Sequence, residues 1–260
     1  MNNAGPSDDG SIVITYDLSL LDGSRRKWTR SSGLRLVYGD IFNFLISCAY
    51  GESWLELGAG VGIFKQRAPH LITSDIVKTP YVDIAVSAYD VLRAGRRWDT
   101  IFAFDMLHHL QEPLRFFTSA ASALVQGGRI VLVEPAATCG GRWFYKTFHH
   151  EPIDPFKIQA PYVFGSDSTD GGYANMGMGW ALFIRDQKNI NRLLADVGLK
   201  IVSVRFRDVL AYAATGGFSG PQLLPTWAIR GLLWVERRLP QFLLRKCALR
   251  MIIILEKKCA

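Results

Sequence analysis

The stretch WLELGAGVGIF, residues 54–64, runs from an apolar segment into a turn that contains three glycines. Gly58, Gly60 and Gly62 allow a tight turn and let a ligand approach the backbone, and a helix after such a turn offers its free N–H groups. A dinucleotide-binding turn has the spacing G-x-G-x-x-G, whose last glycine would fall where this chain has Ile63. The spacing therefore argues against a nicotinamide-dependent reductase, which we keep as the least favoured function.

Short apolar runs rich in branched and aromatic residues alternate with helical or polar stretches after this turn, as in a parallel sheet covered by helices. The pattern predicts strands at residues 53–57, 70–74, 82–86, 99–104, 128–134, 199–206 and 249–256. Capping signals predict helices at residues 41–50, 113–125 and 187–197, with Asp40 and Asp186 as the N-caps of the first and third. We therefore expect an α/β fold with helices on both faces of the sheet.

The ordered motifs of this sheet resemble the class I S-adenosylmethionine-dependent methyltransferases, with a type 11-like domain. ELGAGVG at residues 56–62 is similar to the family's acidic-x-G-x-G-x-G motif. WDTIFAFDMLHHL at residues 98–110 and ALVQGGRIVLVEP at residues 123–135 resemble its fourth motif and its fifth strand. The resemblance implies a Rossmann-like sheet of seven strands, mostly parallel with an antiparallel last strand, and S-adenosyl-L-methionine as the cofactor.

The resemblance also implies which residues hold the cofactor. The glycine turn of the family packs against the methionine end, and an acidic residue in the place of Asp75 accepts both ribose hydroxyls, a task that suits a carboxylate. The implied cofactor-binding residues are Glu56, Gly58, Ala59, Gly60, Gly62, Asp75, Ile76, Ser87, Ala88, Phe104 and Asp105. Ser87 stands where the family often has aspartate. This departure keeps an alternative open, a module that binds the cofactor without catalysis.

Composition predicts a single domain over residues 1–260, because a chain that is 49% hydrophobic can bury a full core. Its four cysteines lack metal or disulfide spacing, which indicates a reducing cytoplasm. Residues 1–30 are expected to form a flexible N-terminal arm. The net charge of +7 is concentrated near the C-terminus among leucines and tryptophans, without the aromatic platforms of a nucleic-acid site, so we predict no nucleic-acid partner.

Residues 135–185 and 207–248 are too long for ordinary connections. Ligands of open parallel sheets bind beyond the carboxyl ends of the strands, and under the family topology both insertions leave those ends. We therefore expect two helical caps over one pocket, which takes a small-molecule, glycan or lipid-linked acceptor. Residues 221–250 form either a solvated cap, which we favour, or a peripheral contact with the inner face of a membrane. The sequence does not indicate an oligomeric state.

The stretch YKTFHHEPIDP, residues 145–155, lies in the first insertion and holds our first candidates for a general base. A base assists methyl transfer to a hydroxyl, and histidine serves this purpose near neutral pH. His149 or His150, oriented by Glu151 or Asp154, is the first candidate, and Asp105 after the fourth strand is the second. Adjacent histidines on an extended stretch point to opposite sides, so we predict no metal site.

Two further histidines, His108 and His109, follow the fourth strand; we expect one to pack in the wall and the other to face the cleft. Together these features predict an enzyme that transfers a methyl group from S-adenosylmethionine to a hydroxyl of a bulky acceptor. Catalysis by such an enzyme rests largely on holding the acceptor close to the methyl carbon in a dry site.

Overall fold

The computed structural model describes residues 18–165 and 173–259. Within these residues, seven strands form one sheet in the order β3-β2-β1-β4-β5-β7-β6. The strands are β1 (Trp54–Leu57), β2 (Ile72–Asp75), β3 (Ile84–Ala85), β4 (Trp98–Phe104), β5 (Leu124–Pro135), β6 (Leu199–Arg207) and β7 (Arg250–Lys257). Every strand that the sequence predicted is present, with ends that differ by a few residues.

The first five strands are parallel, and β7 lies antiparallel between β5 and β6. This arrangement confirms the predicted fold, including its antiparallel last strand. The largest difference is in β5, which begins at Leu124 rather than at residue 128, because the preceding helix ends at Ala123 and the chain continues directly into pairing with Trp98.

The helices are α1 (Leu18–Arg30), α2 (Ser32–Cys48), α3 (Pro113–Ala123), α4 (Cys139–Phe148), α5 (Met178–Trp180), α6 (Gln187–Asp196), α7 (Leu210–Ala214), α8 (Thr226–Glu236) and α9 (Gln241–Cys247). Both faces of the sheet are covered. In β4, Ile101 and Ala103 join the core that contains α3 and α6, whereas Phe102 joins the core that contains α2 and α8. Successive residues of a strand point to opposite faces, so a strand covered on both sides is apolar throughout.

Helix α2 begins at Ser32, whereas Asp40 as an N-cap predicted a start at residue 41. Ser31 is the N-cap instead, because its hydroxyl accepts the N–H of Leu34 at 3.2 Å. Asp40 lies inside the helix, and its carboxylate pairs with one arginine of β6 and one at the end of α8. Packing of the apolar face of α2 against the rest of the protein therefore outweighs Gly39 and Asp40, which locally indicate a helix boundary.

The predicted flexible arm is partly wrong. Residues 1–17 lie outside the described residues, but the remainder of the predicted arm, from Leu18, forms helix α1. Trp28 is buried at the end of this helix, where its indole N–H donates to Gln66 at 3.1 Å and its ring meets Tyr38 edge-on. A buried tryptophan fixes this helix to the core.

The third predicted helix begins at Gln187, directly after Asp186 as expected. Asp186 does not cap it with its side chain, however. Its carboxylate accepts the hydroxyl of Tyr162 at 3.0 Å and pairs with Arg185 at 2.6 Å. The position was predicted correctly, but the contact that stabilises the aspartate comes from the first insertion.

The two insertions contain α4 and α5 on one side and α7, α8 and α9 on the other. They meet where the rings of Phe144 and Tyr212 lie 6.4 Å apart. Residues 166–172 of the first insertion lie outside the described residues. No helix in the described part of the chain combines the length and the hydropathy needed to cross a membrane.

Candidate active site

The glycine turn follows β1 and has left-handed backbone angles at each glycine, with φ of 65° at Gly58, 53° at Gly60 and 61° at Gly62. A Cβ at Gly62 would lie 2.4 Å from the carbonyl oxygen of Tyr81, so no larger residue fits there. A Cβ at Gly60 would meet no atom of the described residues within 4 Å. Gly62 is therefore required by packing, whereas Gly60 leaves the turn open on the side where a ligand would approach.

Asp75 ends β2 beside this turn and is buried. One carboxylate oxygen accepts the N–H of Gly60 at 2.9 Å, and the other accepts the N–H of Ile76 at 2.8 Å. Each oxygen of a carboxylate accepts about two hydrogen bonds, so both keep a free lone pair. Asp75 is thus held in one position and can still accept two ligand hydroxyls.

Glu56 is buried in β1, and its Oε2 has no hydrogen-bond partner among the described residues. Burial, and secondly the nearby Asp75, raises the pKa of Glu56 to about 8. The residue lines a cavity of about 190 Å³ together with the glycine turn, Phe104 and Asp105. An unpaired buried carboxyl oxygen of this kind is suited to a cationic ligand group, which would also restore its charge.

The walls of this cavity come from several elements. Tyr38 and Phe42 of α2 and Phe218 of the second insertion provide aromatic rings, and α1 contributes Leu21 and Ser24. The sequence did not predict any of these residues for the site. Hydrophobic spacing marks the rings of α2 as core residues, and only the fold reveals that they also border the cavity.

Residues beyond β3 occupy the side where the resemblance expects adenine. The N–H of Val86 donates to the carbonyl of Asp75 at 2.8 Å, which holds the following Ser87 and Ala88 near the ribose-side carboxylate. The hydroxyl of Ser87 accepts the N–H of Tyr89 at 3.2 Å in a local turn. Ile76 is 48% exposed, so its side chain is available to pack on a planar ligand.

Asp105 follows β4 and has an unusual backbone, with φ of 50° for a residue that is not glycine. Its Oδ2 lies 3.5 Å from Nη2 of Arg250, and its Oδ1 has no partner among the described residues. Burial raises the pKa of Asp105, and the Arg250 guanidinium limits this rise. Left-handed backbone strain and an unpaired carboxylate oxygen often mark functional sites.

Arg250 begins β7 and is almost completely buried. Its guanidinium donates to the hydroxyl of Tyr38 at 2.7 Å and lies over the rings of Tyr212 and Phe104 at 4.1 and 5.1 Å. Asp208 adds a second carboxylate at 3.5 Å. Sequence reasoning missed this arginine, because nothing around residue 250 distinguishes it from the basic residues of the preceding cap.

His149 and His150, the first candidates for the base, are not among the residues that line the cavity at the glycine turn. His149 and His150 are both exposed and stack on each other with centroids 4.7 Å apart. His149 also contacts the ring of Tyr145, and burial lowers its pKa. Glu151, from the same stretch of the chain, reaches His108, which follows β4, whereas Asp154 accepts the N–H of Phe156 in a local turn.

Glu151 meets His108, which is buried after β4. Nδ1 of His108 is 2.7 Å from Glu134, and its Nε2 is 3.5 Å from Glu151. Burial opposes protonation of His108, but the two carboxylates outweigh burial and raise its pKa to about 10. Burial also opposes ionisation of Glu151, yet the adjacent histidines lower its pKa to about 2. As predicted, one of the two histidines after β4 packs in the wall. The other, His109, is exposed but is not among the residues that line the cofactor cavity.

The methyltransferase-domain family model matches residues 30–204, well over half of the chain. The chain belongs to that family. A SAM-dependent methyltransferase from Archaeoglobus fulgidus is similar over 86% of this chain and 94% of its own, with 14% identity and a TM-score of 0.50. A 1,6-didemethyltoxoflavin-N1-methyltransferase from Burkholderia thailandensis, solved with that compound and S-adenosylhomocysteine, covers 93% of this chain and 85% of its own, with 13% identity and a TM-score of 0.46. The comparison with curated proteins found no match.

The resemblance to class I methyltransferases is thus confirmed at the level of family and fold, and with it the predicted cofactor, S-adenosyl-L-methionine. The site of this methyltransferase fits that cofactor. The unpaired oxygen of Glu56 suits an amino group, the free lone pairs of Asp75 suit ribose hydroxyls, and the open side of Gly60 leaves room for the ligand beside the backbone.

A larger concavity of about 770 Å³ lies between the first insertion and α6, bordered by Phe156, Tyr162 and Arg192. It shares no lining residue with the cavity at the glycine turn. Glu56 and the glycine turn line the smaller cavity and not this one, so we assign the methyltransferase site to the smaller cavity.

Proposed function

We propose that this methyltransferase transfers a methyl group from S-adenosylmethionine to a hydroxyl of a bulky acceptor of the glycan or lipid-linked class. The observation that best supports the proposal is Asp105, whose carboxylate lines the same cavity as Glu56 and the glycine turn. A base at the border of the cofactor cavity could contact an acceptor that enters this cavity. Because the pKa of Asp105 is raised, its ionised carboxylate is a stronger base than that of an exposed aspartate.

Glu56, Asp75 and the glycine turn would hold S-adenosylmethionine, which would supply an electrophilic methyl group. Transfer of this group to an acceptor oxygen would leave the electron pair of the broken carbon–sulfur bond on sulfur. Asp105 accepts the hydroxyl proton, and Arg250 stabilises its carboxylate before that transfer. Tyr38, Phe42 and Phe218 exclude water from the cavity. Positioning in a dry site supplies most of the rate enhancement expected of such a displacement.

His149 and His150, the first candidates for the base, are exposed. Neither lines the cavity that contains the glycine turn, so both are less suited than Asp105. They stay in the proposal as the alternative base. Glu151, whose pKa is low, is paired with His108 and is less suited still.

The lipid-linked class has separate support from α8. Trp227, Arg230 and Trp234 lie on its exposed face, whereas Ile229 and Leu233 are buried. Exposed tryptophans between arginines suit a surface of anionic lipid, where the rings enter the interface and the guanidinium groups meet head groups. A cytoplasmic protein with this face would bind the inner face of the membrane peripherally.

The test is a mass-spectrometric screen with S-adenosylmethionine and a panel of hydroxylated acceptors, both free sugars and lipid-linked glycans. We expect one added methyl group on a hydroxyl of a lipid-linked or bulky acceptor, together with binding of S-adenosylhomocysteine by calorimetry. Cofactor binding with no product on any acceptor would favour the binding module instead. Binding of NADPH in place of both sulfur compounds would favour the reductase.

A further inference from the structure

Three side chains of this protein bring metal-ligating atoms together outside the cofactor cavity. His108 and His109 follow β4, and Glu151 reaches them from the first insertion, so that one ligand atom of each lies within 4.8 Å of the others. Nε2 of His108 is 3.5 Å from Glu151 Oε2, and Nε2 of His109 is 3.9 Å from Glu151 Oε1. Small side-chain rotations would bring such atoms to the roughly 2 Å at which first-row metal ions bind imidazole and carboxylate.

The far side of His108 is held as the ligands of metal ions usually are. Its Nδ1 lies 2.7 Å from Oε2 of Glu134, a carboxylate that is fully buried. The other oxygen of Glu134 accepts the N–H groups of Met106 and Leu107 at 3.0 and 2.7 Å. Metal-bound histidines commonly donate their second N–H to a carboxylate, which fixes the ring and directs the free nitrogen at the ion. Here it directs Nε2 of His108 toward Glu151.

The cluster is also open to solvent. The side chain of His109 is 45% exposed and that of Glu151 is 19% exposed, whereas His108 is 3% exposed. An ion could therefore enter, and three protein ligands would leave a coordination position for water or for an oxygen of the acceptor. Two imidazole nitrogens and one carboxylate oxygen favour zinc, cobalt, manganese or iron over magnesium or calcium, which prefer oxygen ligands.

We propose that His108, His109 and Glu151 form a binding site for a divalent first-row transition metal ion. The prediction of no metal site rested on the spacing of the cysteines and on His149 and His150, which are stacked and exposed. Only the fold brings Glu151 to His108 and His109. The proposal concerns uptake of the ion alone and does not rest on the proposed acceptor, so its failure and that of the proposed function are distinguishable.

The experiment uses the full chain, stripped with a chelator and titrated separately with Zn²⁺, Co²⁺ and Mg²⁺ in the absence of S-adenosylmethionine. We expect one ion per chain, a visible Co²⁺ absorption of the nitrogen and oxygen type, and a higher melting temperature with the ion. His109→Asn and Glu151→Gln should each lower the affinity at least about tenfold. His70→Asn is the matched control, because this histidine stacks on Trp54 and is absent from the cluster; it should bind the ion as the wild type does.

Three results would overturn the proposal. The first is no uptake of Zn²⁺ or Co²⁺ by the wild-type chain. Glu134, His108 and Glu151 would then only form ion pairs that stabilise the fold. The second is undiminished uptake in both variants with a thiolate band in the Co²⁺ spectrum, which would assign the ion to cysteines such as the exposed Cys139. The third is binding of Mg²⁺ in preference to both transition metals.

Discussion

The cofactor half and the acceptor half of this site are built in different ways. The cofactor half consists of a strand, a turn and the end of the next strand, and its key groups lie within residues 56–76. The proposed acceptor half joins Tyr38 of α2, Tyr212 of α7 and Arg250 of β7 with Asp105, which follows β4. The first half can be recognised from a local motif, whereas the second exists only after the sheet has formed. Substitutions in the first half should therefore lower the affinity for the cofactor, and substitutions in the second half should lower turnover.

The largest expected effect is on turnover, in the acceptor half. Replacing Asp105 by asparagine removes the proposed base and should lower kcat about 100- to 10,000-fold, while the affinity for S-adenosylhomocysteine changes little. The wild-type pH profile should show an acidic limb above the ordinary pKa of aspartate, because burial raises the pKa of Asp105 and only the ionised form accepts a proton. Steady-state kinetics across pH and calorimetry at one pH would check both expectations.

The matched variants for this comparison are His149→Asn and His150→Asn. Both side chains are exposed, so each variant should keep kcat within about threefold of the wild type. A loss of turnover in either one as large as that in the Asp105 variant would transfer the role of the base to the first insertion.

The next largest effect distinguishes two roles of the glycines in the cofactor half. Gly62 is needed for packing, whereas Gly60 is needed for ligand access. Gly62→Ala adds a Cβ 2.4 Å from a backbone oxygen at positive φ, and should destabilise the fold by about 2–4 kcal/mol. Gly60→Ala meets no atom of the described residues within 4 Å, so only its positive φ costs stability, about 1–2 kcal/mol. Urea unfolding measures these free energies.

The loss of affinity for S-adenosylhomocysteine, measured by calorimetry, should be larger in Gly60→Ala than in folded Gly62→Ala. The methyl group of Gly60→Ala points where the cofactor would lie, so this variant should lose about tenfold or more in affinity for S-adenosylhomocysteine. Wild-type affinity in Gly60→Ala, or equal stability of the two variants, would contradict this division of roles.

A smaller effect concerns the charge of Glu56, whose pKa rises from 4.5 to about 8 through burial and Asp75. Between these pH values the folded state holds a proton that the unfolded state has lost, so the stabilisation from this group is complete below about pH 4.5 and is lost as pH rises through 8. Glu56→Gln should remove this pH dependence and exceed the wild type in stability at about pH 9 by roughly 1–3 kcal/mol.

The same Glu56→Gln variant should bind S-adenosylhomocysteine about tenfold more weakly, because a neutral amide replaces the partner of an amino group. Urea unfolding at about pH 6 and about pH 9, with calorimetry at both, tests the pair of effects. A wild-type protein whose stability did not fall over this range would show that Glu56 stays ionised when folded.

The comparison of the two halves also explains what the sequence could predict. The glycine turn and the positions of the strands follow from local patterns, because periodicity and turn residues act over a few positions. The role of Asp75 and the antiparallel last strand were implied by the family resemblance of the same motifs. Arg250 and Glu134 could not be recognised in this way, since an arginine at a strand start and a glutamate at a strand end acquire their roles from partners more than 20 residues away. The start of α2 was wrong for a related reason, because its buried face outweighs the local signal of Gly39 and Asp40.

The smallest expected effect concerns the exposed face of α8, where neither half of the site is touched. Replacing Trp227 and Trp234 by alanine and Arg230 by glutamine should reduce co-sedimentation with vesicles containing anionic lipid about three- to tenfold. Leu92→Ala with Arg93→Gln is the matched control near the opposite edge of the sheet, where an exposed leucine and arginine are also adjacent. Binding that persists in the α8 variant, or falls equally in the control, would favour a solvated cap. Turnover on a soluble acceptor should stay unchanged, because the lining of the cofactor cavity contains none of the replaced residues.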